Sequence, residues 1–333
     1  MSVLAARIRQ GEFIRGASGF RNWVTVDGSP GPSGEGGFVA QPDRYHLYVS
    51  YACPWAHRTL IFLTLKGLHN AISVSVLNPI MSAGGWQFDG YEDATLDHVY
   101  QAKSLRENYL RADPDYKGRI TVPVLWDKHQ DSIVSNESSE IIRMLNSAFD
   151  EFADHPNLDL YPRALRAEID SINETIYNNV NNGVYRAGFA TSQEAYERAF
   201  DSLFDTLDEL EERLTKRRYL LGNDITEADW RLFTTLVRFD LVYFGHFKTN
   251  QKRLVDYPNL WAYTRELYQF PGIAETVQFD HIKSHYYVSQ ASINPNRIVP
   301  KGPVVDFRAK HQRDELFSHA VNRLRSGAHV RYQ

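Results

Sequence analysis

The sequence predicts a small α/β domain followed by an all-helical domain. Three observations carry this. Between residues 44 and 150 the signals run strand, helix, strand, interruption, strand, strand, helix. After Asp150 strand signals stop and helical periodicity takes over. A chain of 333 residues, 43% of them apolar, holds enough core for two such units.

The first 43 residues read as an extension. Gly28-Ser29-Pro30-Gly31-Pro32-Ser33-Gly34-Glu35-Gly36-Gly37 must be loop. A dinucleotide-binding glycine loop follows a strand and opens a helix, whereas this run precedes a strand, so that reading is set aside. Residues 45–50, rich in aromatic and β-branched side chains, predict the first strand. Pro54 at a first turn and Gly67 just past the end predict a helix over 54–66. Residues 72–76 alternate and predict the second strand. An insertion over 78–118 carries a Gly84-Gly85-Trp86 loop and a helical stretch over 96–110. Residues 121–126 and 132–134 then predict a β-hairpin across the turn at 127–131. Apolar residues Ile141, Ile142, Leu145 and Phe149 predict a helix over 137–149. The second domain, 160–290, predicts helices over 165–180, 194–214, 227–239 and 260–268. The remainder, 291–333, is polar and reads as a tail over the surface.

Composition excludes several classes. With 37 Lys+Arg against 41 Asp+Glu the net charge is -4, which does not support nucleic-acid binding. The basic run Lys216-Arg217-Arg218 reads as favourable charge at a helix end. No apolar run is long enough for a signal peptide or a membrane span, so the expected compartment is a reducing cytoplasm. One cysteine, Cys53, excludes an intrachain disulfide and a Cys-rich zinc site. His281 and His285 stand four apart without the Glu of the zincin motif, so no metal is expected.

Cys53 stands where the first strand passes into the first helix, in Ser50-Tyr51-Ala52-Cys53-Pro54-Trp55-Ala56-His57-Arg58. Free N–H groups at a helix start stabilise a thiolate, so a lowered thiol pKa is expected there. A lone cysteine is commonly a buried structural one; its place before Pro54 favours a functional reading. A dithiol oxidoreductase would carry a second cysteine where Ala56 stands. A mixed disulfide on Cys53 must therefore be broken by a thiol from outside the chain, and glutathione is the abundant cytosolic one. In thioredoxin-like domains a cis-proline faces the active-site loop. Val122-Pro123 occupies that place, and the context favours cis although most X-Pro bonds are trans. Ser135-Asn136-Glu137-Ser138 reads both as a helix cap and as a place for a carboxylate and an ammonium on one carbon, as in a γ-glutamyl group.

The thioredoxin-like start, the helical second half and Ser135-Asn136-Glu137-Ser138 resemble cytosolic glutathione transferases. Thr226 and Asp229 add a capping-box spacing similar to that of the family's core helix. The finer resemblance is to the glutathionyl-hydroquinone reductases, the Xi class. It rests on Cys53-Pro54-Trp55-Ala56-His57-Arg58, Asn181-Asn182-Gly183-Val184-Tyr185-Arg186-Ala187-Gly188, Arg238-Phe239-Asp240-Leu241-Val242-Tyr243 and Phe279-Asp280-His281-Ile282-Lys283-Ser284-His285-Tyr286-Tyr287, and spans residues 13–295. The N-terminus reads as shorter than in relatives with a Trp-containing opening, and the tail as individual.

The resemblance implies an α/β thioredoxin-like domain and an all-α domain. Cys53 would be the nucleophile. Trp86, Arg119, Ile120, Thr121, Val122, Glu137 and Ser138 would hold glutathione. Tyr185 would exchange a proton with the substrate, and Tyr243 and Tyr286 would border the quinone pocket and hydrogen-bond the thiolate, lowering its pKa. It further implies glutathione as co-substrate with no bound cofactor, glutathionylated hydroquinones as partners, and a homodimer. The alternative reading is a general omega-like thiol transferase or dehydroascorbate reductase sharing Cys53; a non-enzymatic binding module is the third.

Overall fold

The computed structural model describes residues 8–317. Residues 1–7 and 318–333, at the outer ends of the expected extension and tail, lie outside it. A two-stranded antiparallel pair opens the described chain, β1 (Ile8–Arg9) and β2 (Glu12–Phe13). The first domain then follows the expected order: β3 (Tyr45–Val49), α1 (Pro54–Lys66), β4 (Ile72–Val76), α2 (Leu105–Ala112), β5 (Val124–Asp127), β6 (Ser132–Ser135) and α3 (Ser138–Ser147). The sheet order is β4-β3-β5-β6. β3 pairs parallel with β4, Leu47 beside Val74, and antiparallel with β5, Leu47 beside Leu125. All five β3 residues are buried, as a central strand requires. Gly67 closes α1 in the left-handed conformation, with its N–H on the Leu63 and Thr64 carbonyls. Because α1 packs on both the sheet and the second domain, eleven of its residues are buried.

The helix expected over 96–110 begins only at Leu105. Asp97 organises the preceding segment as a loop: its carboxylate accepts from Tyr48 Oη (2.9 Å), Val99 N (3.0 Å), Ala102 N (3.2 Å) and Asn108 Nδ2 (3.2 Å). A Ser104–Glu107 capping box then starts α2. The strand expected at 121 begins at Val124, after a cis Val122–Pro123 bond.

The second domain holds α4 (Arg166–Ile176), α5 (Gly183–Gly188), α6 (Gln193–Lys216), α7 (Glu227–Leu236), α8 (Phe244–His246), α9 (Pro258–Tyr268) and α10 (Phe279–Ser289), followed by α11 (Arg313–Leu316) in the tail. Two expected helices end early and pass into wider π turns, at Tyr177–Asn181 and Phe239–Tyr243. Their cause is polar anchoring. Asn181 donates to the Arg231 carbonyl (3.0 Å) and Thr235 Oγ1 (2.7 Å), and Asp240 accepts from the backbone N–H of Leu254 and Val255. No helix among the described residues is long and apolar enough to cross a membrane.

Two expectations need refinement at the surface. Lys216 stands in the last turn of α6 as expected and Arg217 caps it, but Arg218 leaves the helix and is buried against Glu266. The tail does not merely cover the surface. Phe307 is buried, and Arg313 is wholly buried with its Nε on Glu266 (2.9 Å).

Candidate active site

Cys53 is the N-cap residue of α1, in extended conformation, with Pro54 at the first helical position. Its backbone N–H bonds Ser50 O (3.0 Å) and its carbonyl accepts from His57 N (2.9 Å), which fixes the turn. The sulfur faces a cleft of about 420 Å³ and lies 3.6 Å from Val122 O, the residue before the cis-proline. The expected lowering of its pKa is not found. Burial pushes the thiol up, outweighing the Ala56 and Trp55 N–H groups and the charges of Arg238 and Arg15. A helix start lowers a thiol pKa only against the cost of removing the anion from water, and here that cost is larger.

One wall of the cleft comes from the first domain. All seven residues expected to hold glutathione line it: Trp86, Arg119, Ile120, Thr121, Val122, Glu137 and Ser138. The 119–122 segment is held by tyrosines: Tyr116 Oη donates to Arg119 O (3.0 Å) and Tyr109 Oη to Thr121 O (2.8 Å). Glu137 caps α3, with Oε1 accepting from Ser139 N (3.1 Å) and Oε2 from Ser18 Oγ (2.8 Å). Burial works to raise its pKa, but the Ser139 N–H, the Ser18 and Ser139 hydroxyls and the Arg58 charge hold it below the ordinary carboxylate range. The group is therefore an anion at neutral pH. Trp86 stacks on His285 of α10, with ring centroids 5.0 Å apart and planes within 11°.

The opposite wall comes from the helical domain. Tyr185 of α5 lines the cleft, but Tyr243 and Tyr286 stand behind it and are fully buried. The three hydroxyls form a chain: Tyr185 Oη lies 2.6 Å from Tyr286 Oη, which lies 2.8 Å from Tyr243 Oη. The expected bonds from Tyr243 and Tyr286 to sulfur are not found among the described residues: the Tyr286 hydroxyl sits between the other two, and the sulfur's hydrogen bond goes to Val122 O. Burial raises the pKa of all three, so each is a neutral phenol.

Sequence reasoning missed the N-terminal segment. Arg15, Gly16, Ala17 and Ser18 line the cleft, although 1–43 reads as a loop outside the site. Arg15 lies over the rings of Trp55 (4.7 Å) and Tyr185 (4.8 Å) while its Nε donates to Asn182 Oδ1 (2.8 Å). The one local signal was two arginines, Arg15 and Arg21, beside small residues. His285, considered only as a metal ligand, also lines the cleft; its Nδ1 bonds Pro79 O (2.7 Å), and His281 Nε2 bonds Glu92 O (2.5 Å). Each imidazole is thus tied to a backbone carbonyl.

The glutathione S-transferase N-terminal domain family matches residues 52–148 and the C-terminal domain family residues 193–266. The chain is 58% identical over 308 residues to the glutathionyl-hydroquinone reductase YqjG of Escherichia coli (strain K12), covering 92% of this chain and 94% of that one. The glutathione-bound structure of YqjG superposes with a TM-score of 0.87 over 89% of this chain and 96% of that chain. The glutathionyl-hydroquinone reductase PcpF of Sphingobium chlorophenolicum is 52% identical over 88% of this chain and 90% of its own. The glutathione-S-transferase Xi of Phanerochaete chrysosporium superposes with a TM-score of 0.84 at 51% identity, over 88% and 98% of the two chains. With both transferase domains matched and more than half of the residues shared along nearly the whole chain, this protein belongs to the glutathionyl-hydroquinone reductase family, the Xi class of glutathione S-transferases.

Proposed function

We propose that the protein reduces glutathionyl-hydroquinones to hydroquinones with glutathione as the thiol donor. The observation that carries this reading is one thiol and one buried phenol, Cys53 and Tyr185, on opposite walls of a single cleft. The glutathionyl group lies along 119–122, with its γ-glutamyl ammonium at Glu137 and its carboxylate at the Ser138 helix start. The Cys53 thiolate attacks the glutathione sulfur. The new S–S bond forms as the ring C–S bond breaks, and the electron pair goes to the ring carbon, which takes a proton from Tyr185. Tyr286, backed by Tyr243, donates a hydrogen bond to the phenolate left behind. A second glutathione thiolate then attacks the glutathione half of the mixed disulfide, releasing glutathione disulfide and the Cys53 thiolate. No bound cofactor or metal enters either step. We further propose a cytoplasmic homodimer.

The test is mass spectrometry after one turnover in limiting glutathione. One glutathione on Cys53 is expected, and a thiol unmodified throughout would refute the scheme. Rates on a glutathionyl-hydroquinone and on a generic glutathione mixed disulfide separate the substrate classes. A strong preference for the second would place the protein among general thiol transferases.

A further inference from the structure

Arg238 is a buried cation without a buried anion. It lies between α7 and the π turn at Phe239–Tyr243, has no exposed surface, and enters no ion pair among the described residues. Its guanidinium makes four hydrogen bonds, all to neutral groups. Nε donates to Ala52 O (3.1 Å), Nη2 to Tyr51 O (2.8 Å), and Nη1 to Thr234 O (2.8 Å) and His57 Nδ1 (3.0 Å). The Thr276 hydroxyl donates to Ile273 O (2.7 Å), so it accepts from His57 Nε2–H (2.8 Å), leaving Nδ1 as a lone pair for Arg238. His57 is held neutral by burial and by Arg238 itself. Burying a charge without a counter-charge is strongly unfavourable, as is removing one partner of a buried pair. Such a group calls for an anion, and the two carbonyls it grips, Tyr51 and Ala52, lead directly into Cys53.

We propose that the Cys53 thiolate is the counter-ion of Arg238, which makes Arg238 a positioning residue that both holds the thiol turn and favours ionisation of the sulfur. The other charged or titratable groups around the sulfur do not supply this role. Glu137 carries the same sign as the thiolate, and Tyr185, Tyr243, Tyr286, His57 and His285 are neutral near pH 7. Arg15 is a second cation, but it is half-buried, where solvent screens it, and the other arginines lining the cleft, Arg119 and Arg21, are bonded to Gly16 O and Glu140. The proposal builds on Cys53 as the reacting thiol, yet its test needs no substrate, so it stands or falls separately from the hydroquinone reading.

The chain has one cysteine, so the rate of iodoacetamide alkylation against pH reads Cys53 alone. Wild type, Arg238→Gln and Arg238→Lys are compared, with folding checked by circular dichroism. Arg238→Gln is expected to raise the alkylation midpoint by at least about one pH unit, a roughly tenfold smaller thiolate fraction below both midpoints. Arg238→Lys, which keeps the charge, is expected to stay within about half a unit of wild type even if its fork-shaped contacts are lost. A folded Arg238→Gln with the wild-type midpoint overturns the proposal. So does a rise beyond about half a unit in Arg238→Lys, which decides the matter alone if the glutamine variant does not fold.

Discussion

At the scale of single residues, the proposed chemistry asks one group to lose its proton and another to hold one ready for the ring carbon. Burial pushes the Cys53 thiol up and keeps Tyr185 protonated. Removing the Tyr185 proton should therefore stop carbon protonation and leave sulfur exchange running. Tyr185→Phe is expected to lower kcat on a glutathionyl-hydroquinone by roughly 10²–10⁴-fold, with a much smaller loss on a generic glutathione mixed disulfide; equal losses on both would remove Tyr185 from the proton step. Glu137, an anion by virtue of its hydrogen bonds, should hold the γ-glutamyl ammonium. Glu137→Gln is expected to raise KM for glutathione roughly tenfold or more, read by initial rates at saturating second substrate. His46 gives a stability test. Burial pushes its pKa down to about 3, while its ordinary value is 6.5. Between these values the unfolded chain binds a proton that the folded chain refuses, so stability falls as pH drops below about 6.5 toward 3. His46→Gln, which keeps partners at Ser73 and Ser75, is expected to flatten that slope by up to about 1.4 kcal/mol per pH unit, measured by urea unfolding.

At the scale of elements, α1 was legible in full because its signals are local: Pro54 at one end, Gly67 at the other, apolar residues between. The Thr226–Asp229 box at the start of α7 was legible for the same reason, though its weight was not. Asp229 is buried and accepts from Thr226 N (2.8 Å), Leu220 N (2.9 Å) and Tyr263 Oη (2.7 Å). Thr226→Ala is expected to cost about 1 kcal/mol. Asp229→Ala strands a Leu220 N–H and a Tyr263 hydroxyl as well, and is expected to cost at least about 3 kcal/mol; urea midpoints compare the two. The π turns were not legible. A helical pattern reads on through residue 180, and only the partners of Asn181, fifty or more residues away, show why the helix widens there.

At the scale of the whole molecule, the tail is tied to the second domain by a buried cluster. Glu266 accepts from Arg218 Nε (2.8 Å), Arg313 Nε (2.9 Å) and Tyr219 Oη (2.7 Å). Arg313→Ala is expected to destabilise the fold by roughly 3–5 kcal/mol, the cost of breaking a buried pair, in thermal or urea unfolding. Cleft chemistry should persist where the variant is folded, since Arg218, Tyr219, Glu266 and Arg313 do not line the cleft; selective loss of activity without loss of stability would contradict this.

The sequence by itself determined the order of elements, the thiol at a helix start, the absence of a partner cysteine, and the helix cap at 135–138. These are spelled by residue types and near neighbours in the chain, where turn, cap and periodicity rules act; the stretch 119–122 was legible only through the family resemblance. Tertiary structure alone decided what surrounds the sulfur. Arg15 meets Asn182 across 167 residues, Tyr185 meets Tyr286 across 101, and Arg238 grips the carbonyl of Ala52 across 186. The thiol's pKa turns on those long-range neighbours because burial outweighs the local helix start, and burial is a property of the packed molecule.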